Sequence, residues 1–291
     1  MAAVTSTSVP AAAGSTSTNE WRYFITRSLK TLGAVLISGV ILLILWHVIV
    51  SRSGVSSFIA KKPVDVWNYL TQDGVDGTAA AHRSNLLSLL WVTLGHAAIG
   101  FVFGVLASVV VSAIFVLVRP VEFMFMPIAM LLRTVPLLAM APVIYVIFGN
   151  GLVTCALIGT IVVFFPLLVN VTLGLRSVSK QSADLVSVYG GNRFTVLRKV
   201  AVPTALPYFF AAMRIAVPGA ITGAMLYEWL FTFEGMGAAV QSAKAQGDYA
   251  QIWAVTFTVT VVAIALYMVA TFIESAVLAK WGPDAGKATG S

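Results

Sequence analysis

Long apolar runs separated by short charged segments dominate the chain. Each run matches the roughly 20 helical residues needed to cross a hydrocarbon layer about 30 Å thick. Residues 31–50 carry no formal charge and predict a first span. Residues 86–118 form a second uncharged run, too long for one upright crossing, which predicts a tilted helix or one projecting past the bilayer. Within it Gly95, Gly100, Gly104 and Ser108 include a four-residue spacing that lets helices approach closely. Residues 122–148 are interrupted by Pro127, Arg133, Pro136 and Pro142. A broken helix at membrane depth survives only where protein or a water-filled cavity satisfies its backbone, so this span is expected to line a path. Gly149-Asn150-Gly151 marks a turn, and 152–175 returns with Pro166 bending it. Two further spans, 205–230 and 249–273, are joined by a segment with Glu234, Gly235, Gly237 and Lys244 that reads as an external loop.

Composition agrees with a membrane protein. Hydrophobic residues make up 59% of the chain and charged residues 10%, with a mean hydropathy of +0.93. That is about half the charge of a soluble domain. The net charge of +7 is explained by basic residues in cytoplasmic segments better than by nucleic acid, since no basic stripe is interleaved with aromatic residues. Arg22, Arg27 and Lys30 ahead of the first span place the N-terminus in the cytoplasm. On that topology eleven of the 18 Lys+Arg lie inside, five outside and two, Arg133 and Arg214, within spans. The C-terminus is then also cytoplasmic. Residues 51–84 read as an external polar segment, and the first twenty residues, rich in Ala, Ser and Thr, as a disordered tail.

The main concentration of polarity between spans is the insert 182–207, SADLVSVYGGNRFTVLRKVAVPTALP. Ser182 can cap a helix with Asp184 in its first turn, while Leu185, Val188 and Tyr189 share one face. Gly190-Gly191 ends that helix and Asn192 can cap a second one. The second would carry Phe194, Leu197 and Val200 on one side, Arg193, Arg198 and Lys199 elsewhere, and Pro203 as its stop or bend. Two short amphipathic helices at a membrane surface suit either an interfacial connector or a docking surface for an aqueous partner.

Asp184-Leu185-Val186, then Gly190 and, after nine more residues, Val200-Ala201-Val202-Pro203 resemble the EAA signature of permease subunits of bacterial binding-protein-dependent ABC importers. That signature has Glu-Ala-Ala, a glycine four residues after its second alanine, and an apolar-x-Leu-Pro ending. Here both alanines are replaced and the acid is shortened. Leu132-Arg133-Thr134-Val135-Pro136, Phe148-Gly149-Asn150-Gly151, Phe164-Phe165-Pro166, Asn170, Leu175-Arg176-Ser177-Val178, Glu228-Trp229 and Gly235-Met236-Gly237 are similar to successive landmarks of its nitrate, sulfonate and taurine branch. The resemblance implies an all-α, type I ABC importer permease fold with about six transmembrane helices, in a multi-pass chain of the bacterial plasma membrane. It further implies a second permease copy, two cytoplasmic ABC ATPase subunits that bind ATP and Mg, and an external solute-binding protein. The coupling residues it implies are Asp184, Leu185, Val186, Tyr189, Gly190, Gly191, Arg193, Phe194, Arg198 and Pro203. The cargo it implies is a sulfonate, nitrate, taurine-like anion or heterocyclic nutrient, taken up by alternating access.

The expected organisation is a tail at 1–30, a first span with its external loop at 31–85, a permease core at 86–281 holding the coupling segment 178–203, and a tail at 282–291. Arg133 and Pro136 are candidates for the path, Arg133 facing a cavity, an acid or an anion because a cation at membrane depth costs about 2.5–3.5 kcal/mol on insertion scales. Glu228 can pair with Arg133 or sit at the outer interface. Arg214 and Glu274 are expected to snorkel. His47, His82 and His96 are isolated, so no metal site is expected. Cys155 can form no internal disulfide. No Walker-type Gly-x-x-x-x-Gly-Lys-Ser/Thr occurs, and no constellation suggests an enzyme. The competing class is an autonomous secondary carrier driven by an ion gradient, which needs a carboxylate in mid-membrane, for which Glu228 is the candidate.

Overall fold

The computed structural model describes residues 16–74 and 77–281, with side chains described for 33–74, 77–278 and 281. The expected tails at 1–15 and 282–291 lie outside the described residues. The chain divides into two units, residues 1–44 with 286–291, and residues 45–285. The helix α1 (Thr16–Arg52), whose residues from Leu45 on belong to the second unit, begins well ahead of position 31. No Gly or Pro interrupts 16–32, so a helix nucleated in the apolar run propagates backward through residues expected to be tail. Leu36, Ile37 and Ile41 stand exposed, as side chains against lipid must.

All other described elements belong to the second unit: α2 (Pro63–Thr71), α3 (Ala79–Leu117), α4 (Arg119–Leu132), α5 (Leu137–Phe148), α6 (Leu152–Arg176), α7 (Lys180–Val188), α8 (Arg193–Val196), α9 (Val202–Phe231), α10 (Gly235–Gln246) and α11 (Tyr249–Trp281). Five helices are long and apolar enough to cross a membrane, and a sixth span results if the bent pair α4–α5 is counted as one. The pair bends by 104°. Pro136, which caps α5 with φ −60° and ψ 119°, lacks an N–H and pushes Val135 away from helical geometry.

The core is a three-helix seam of α3, α6 and α9 built on small residues. Ala212, Ala216, Ala220 and Ala224 recur every four residues on α9, and Val163, Leu167, Val171 and Leu175 do so on α6; all are buried in one cluster. On α3 the buried stripe is Ala97, Gly100, Gly104, Ser108 and Ser112. Hydrocarbon tails are as apolar as these side chains, so close backbone approach, rather than escape from water, draws the helices together. A Cβ on Gly100 would lie 2.6 Å from Gly159 Cα, and one on Gly223 would lie 3.1 Å from the same atom. Gly95, grouped with this stripe by sequence, has nothing within 4 Å of its Cβ position.

Three regions differ from the sequence expectation. The segment 235–246 is a helix rather than an external loop, with Met236 and Ala243 wholly buried; its small side chains look like a loop in isolation but fit a tight crevice. The polar segment 51–84 contains α2, where Asp65 Oδ2 accepts from Lys62 N–H at 2.8 Å. Two indoles pin the turn before it: Trp46 donates to Lys61 O, Trp253 donates to Ile59 O, and the two rings stack at 5.3 Å. Trp46 thus has a packing role. Finally, Arg214 and Glu274 form an ion pair at 3.0 Å rather than snorkelling apart, since the same low-dielectric surroundings that penalise each charge strengthen their attraction.

Candidate functional site

The insert folds into a helical hairpin set between α6 and α9, the two innermost helices. Its first helix starts three residues before the expected cap: Ser179, not Ser182, holds the N-cap, accepting from Ser182 N–H at 3.2 Å. Ser182 instead hydrogen-bonds the Ser179 hydroxyl at 2.8 Å. At the far end Gly190 takes φ +79°, a left-handed conformation that side chains rarely adopt. Gly191 N–H returns to Val186 O at 2.9 Å, and a Cβ on Gly191 would strike Val186 Cγ1 at 2.5 Å. Asn192 caps α8 as expected, its Oδ1 accepting from Thr195 N–H at 2.9 Å and from Thr195 Oγ1 at 3.0 Å.

Pro203 neither stops nor sharply bends the second helix. The chain passes through one π-helical turn, Leu197–Ala201, and continues into α9, so that 193–231 form a continuous span. Pro203 has no N–H to give, and Val202 N–H reaches Leu197 O five residues back. Leu197 and Ala201 are buried in the α3–α6–α9 cluster, which fastens the hairpin to the core. Outward stand Leu185 at 59%, Val188 at 82%, Tyr189 at 84% and Phe194 at 60% exposure, rimmed by exposed Asp184, Arg193, Arg198 and Lys199. A contiguous apolar patch with a basic rim, on a hairpin anchored from beneath, has the form of a docking surface.

At the opposite end of α9 Glu228 is completely buried. Thr93 Oγ1 donates to its Oε2 at 2.9 Å, Gly237 N–H donates to Oε2 at 2.9 Å, and His96 Nδ1 lies 2.8 Å from Oε1. When Glu228 is ionised it only accepts, and the proton between the two is then on His96 Nδ1. Met236 N–H donates to Thr93 Oγ1 at 2.8 Å, so one acid ties α3, α9 and α10 together. The Gly235-Met236-Gly237 sequence fits this cage sterically. A Cβ on Gly235, where φ is +85°, would fall 2.2 Å from Glu228 Cδ, and one on Gly237 would fall 2.2 Å from Met225 O. Tyr227 donates to Asn150 Oδ1 at 3.0 Å and packs edge-on against His96.

The expectation that Glu228 pairs with Arg133 or meets water is therefore corrected: its partners come from α3 and α10, and no solvent reaches it. Arg133 lies instead at the α4–α5 break, exposed together with Thr134, Val135 and Pro136. The sequence reading missed Thr93 and His96 as partners of Glu228, and it missed the ion pair between Glu122 and Arg176. The signal for His96 was its presence in an otherwise uncharged run; its partner is 132 residues away and had no local mark.

Residues 100–281 match the family described as binding-protein-dependent transport system inner membrane component. The chain is 28% identical to the riboflavin transport system permease protein of Chloroflexus aurantiacus, over 83% of this chain and 87% of that one. It is 26% identical to the formylaminopyrimidine transport permease protein of Halalkalibacterium halodurans, over 77% of this chain and 86% of that one. In fold it is similar to a chain of the inward-facing MetNI methionine ABC transporter, with a TM-score of 0.57 and 20% identity, covering 68% of this chain and 96% of that one.

Proposed function

Because this chain belongs to the binding-protein-dependent transport system inner membrane component family, we propose that it forms the solute pathway of an ATP-driven importer whose cytoplasmic ATPase subunits seat on the α7–α8 hairpin. The observation that carries this reading is the hairpin itself: exposed Leu185, Val188, Tyr189 and Phe194 on a base anchored by buried Leu197. An ATPase dimer that closes on ATP and opens after hydrolysis moves a groove, and a hairpin rooted between α6 and α9 passes that motion to the spans. The hairpin end, with both termini, is cytoplasmic on this reading, and ATP and Mg are bound by the partner subunits. The α10 end faces an external solute-binding protein. The core runs over 86–281, after a first span and external segment at 31–85.

The exposed break at 133–136 supports a second copy of the chain as the other half of the path. Non-helical backbone is not tolerated against lipid, so protein or a protein-enclosed aqueous cavity must cover it. With Arg133 and Pro136 there, the break is the candidate surface of the path, while Glu228 anchors α9 to α3 and α10. Two relatives that align over most of their length are named for riboflavin and formylaminopyrimidine transport, which favours a heterocyclic nutrient over a small inorganic anion as cargo. The ion-driven alternative requires a carboxylate open to the path, whereas Glu228 is enclosed by three donors.

Reconstitution tests the reading. Liposomes containing this chain alone are expected to take up no solute, and those containing it with the ATPase subunits, ATP and the external receptor are expected to accumulate it. Uptake by the lone chain on an imposed ion gradient would reverse the choice. Two variants address the hairpin. Gly190→Pro forces φ from +79° to about −65°, and Arg198→Glu inverts the rim charge. Each is expected to lower ATPase co-purification about tenfold and leave the receptor's affinity for solute unchanged. Normal co-purification of both would remove α7–α8 as the seat.

A further inference from the structure

The one fully buried residue of α4 is a carboxylate. Of its 14 residues Glu122 alone is buried, while Phe123, Met124, Phe125 and Leu131 stand at 85%, 65%, 51% and 68% exposure. Met126 and Ala129, four and seven residues on, are partly buried on the same face, and the polar anchor of that face is the ion pair of Glu122 with Arg176 Nη2. Glu122 lies in the first turn of α4 and Arg176 in the last turn of α6, the ends at which their respective charges complement the helix dipole. A cleft of about 670 Å³ opens beside the pair, lined by Arg119, Phe123, Met126, Pro127 and Met130.

Arg176 is also the final residue of α6, and only 177–179 separate it from α7. The hairpin and the broken span therefore meet at this pair. We propose that Glu122 and Arg176 are positioning residues that carry movement of the α7–α8 hairpin into the α4–α5 span; the proposal rests on the coupling reading of the hairpin. A charge-assisted contact suits the task because it is directional and short-ranged, and coupling between distant sites needs contiguous rigid elements. The helix α4 follows the end of α6, and its far end at Arg133 moves with it.

The test uses the complete complex, with ATPases and external receptor, in proteoliposomes, reading solute moved per ATP hydrolysed and ATPase co-purification. Glu122→Gln and Arg176→Gln are each expected to retain co-purification and move at least tenfold less solute per ATP. The charge-exchanged double variant, Glu122→Arg with Arg176→Glu, is expected to recover a third or more of the parental ratio. Single variants with the parental ratio, or a double variant no better than the singles, overturn the proposal. A second measurement needs neither variant. Nitroxides on Met124→Cys and Ser187→Cys within one copy, with the ion pair intact and Cys155 buried, should keep one separation with and without trapped ATP, whereas labels at 124 and 241 should change theirs. A change between 124 and 187 overturns the proposal. A parent complex that moves no solute with ATP defeats the coupling reading itself, and the proposal with it.

Discussion

Gly100→Val is expected to remove most folded permease from the membrane, while Gly95→Val on the same helix leaves yield and melting temperature close to the parent. The two positions share a helix, a hydropathy environment and a helix-propensity change, so only their surroundings differ. At Gly100 even the first added carbon would meet Gly159 Cα at 2.6 Å and its carbonyl carbon at 2.9 Å. These are backbone atoms of the central helix and cannot rotate aside. Gly159 is also approached by α9, where a Cβ on Gly223 would lie 3.1 Å from its Cα, so α6 is closely packed against both helices at this point. Relief requires α3 to separate from α6, which exposes the seam of Ala97, Val163 and Leu167. Overpacking a well-filled interior costs about 1–3 kcal/mol where side chains can adjust, and a backbone-to-backbone clash should exceed that range. Fluorescence-detected size exclusion and thermal melts of both variants in detergent check this, and a Gly100→Val protein that melts like the parent would show that the α3–α6 crossing is looser than its geometry.

Much of this arrangement was legible in the chain, for a reason that also sets its limit. The bilayer imposes length and apolarity on each crossing, so the spans at 86–118, 152–175, 205–230 and 249–273 were visible as composition. The break at Pro136 and the hairpin turn at Gly190 were visible because proline and glycine restrict or free the backbone locally. The ordered landmarks supplied the family, which no local rule could. By contrast, α10 was hidden because Gly-Met-Gly-Ala-Ala is too small and too weakly apolar to announce a buried helix. Its burial is decided by a crevice formed by residues elsewhere in the chain. The true cap at Ser179 was missed because Ser182 offers the same chemistry three residues on, and only the path of α6 into α7 selects between them. The pairs Glu228–His96, Glu122–Arg176 and Arg214–Glu274 join residues far apart in sequence. Charge type alone therefore left Glu228 between Arg133 and the outer interface, and left Arg214 and Glu274 unpaired.

Glu228→Ala should be the most damaging single polar substitution, and Glu228→Gln should be markedly milder. Alanine removes the acceptor of the His96 Nδ1–H and the Gly237 N–H and leaves the Thr93 hydroxyl only Leu89 O. Each buried donor without an acceptor costs about 1–3 kcal/mol. Glutamine keeps the shape of the side chain. Its carbonyl oxygen can still accept from Thr93 and Gly237, and its NH₂ can donate to His96 Nδ1 once the ring carries its proton on Nε2. The alanine variant should therefore release α10 from α3 and α9, lower the melting temperature in nanodiscs and abolish receptor-stimulated ATP hydrolysis. The glutamine variant should fold and retain a substantial part of both. A group lining the path would give another pattern: normal melting in both variants and uptake lost equally in both, because solute would sense the missing charge and the cage would not. Measuring melting and uptake together thus separates an anchor for the α10 end of the permease from a ligand for its cargo, and equal loss of uptake at parental stability would return Glu228 to the path.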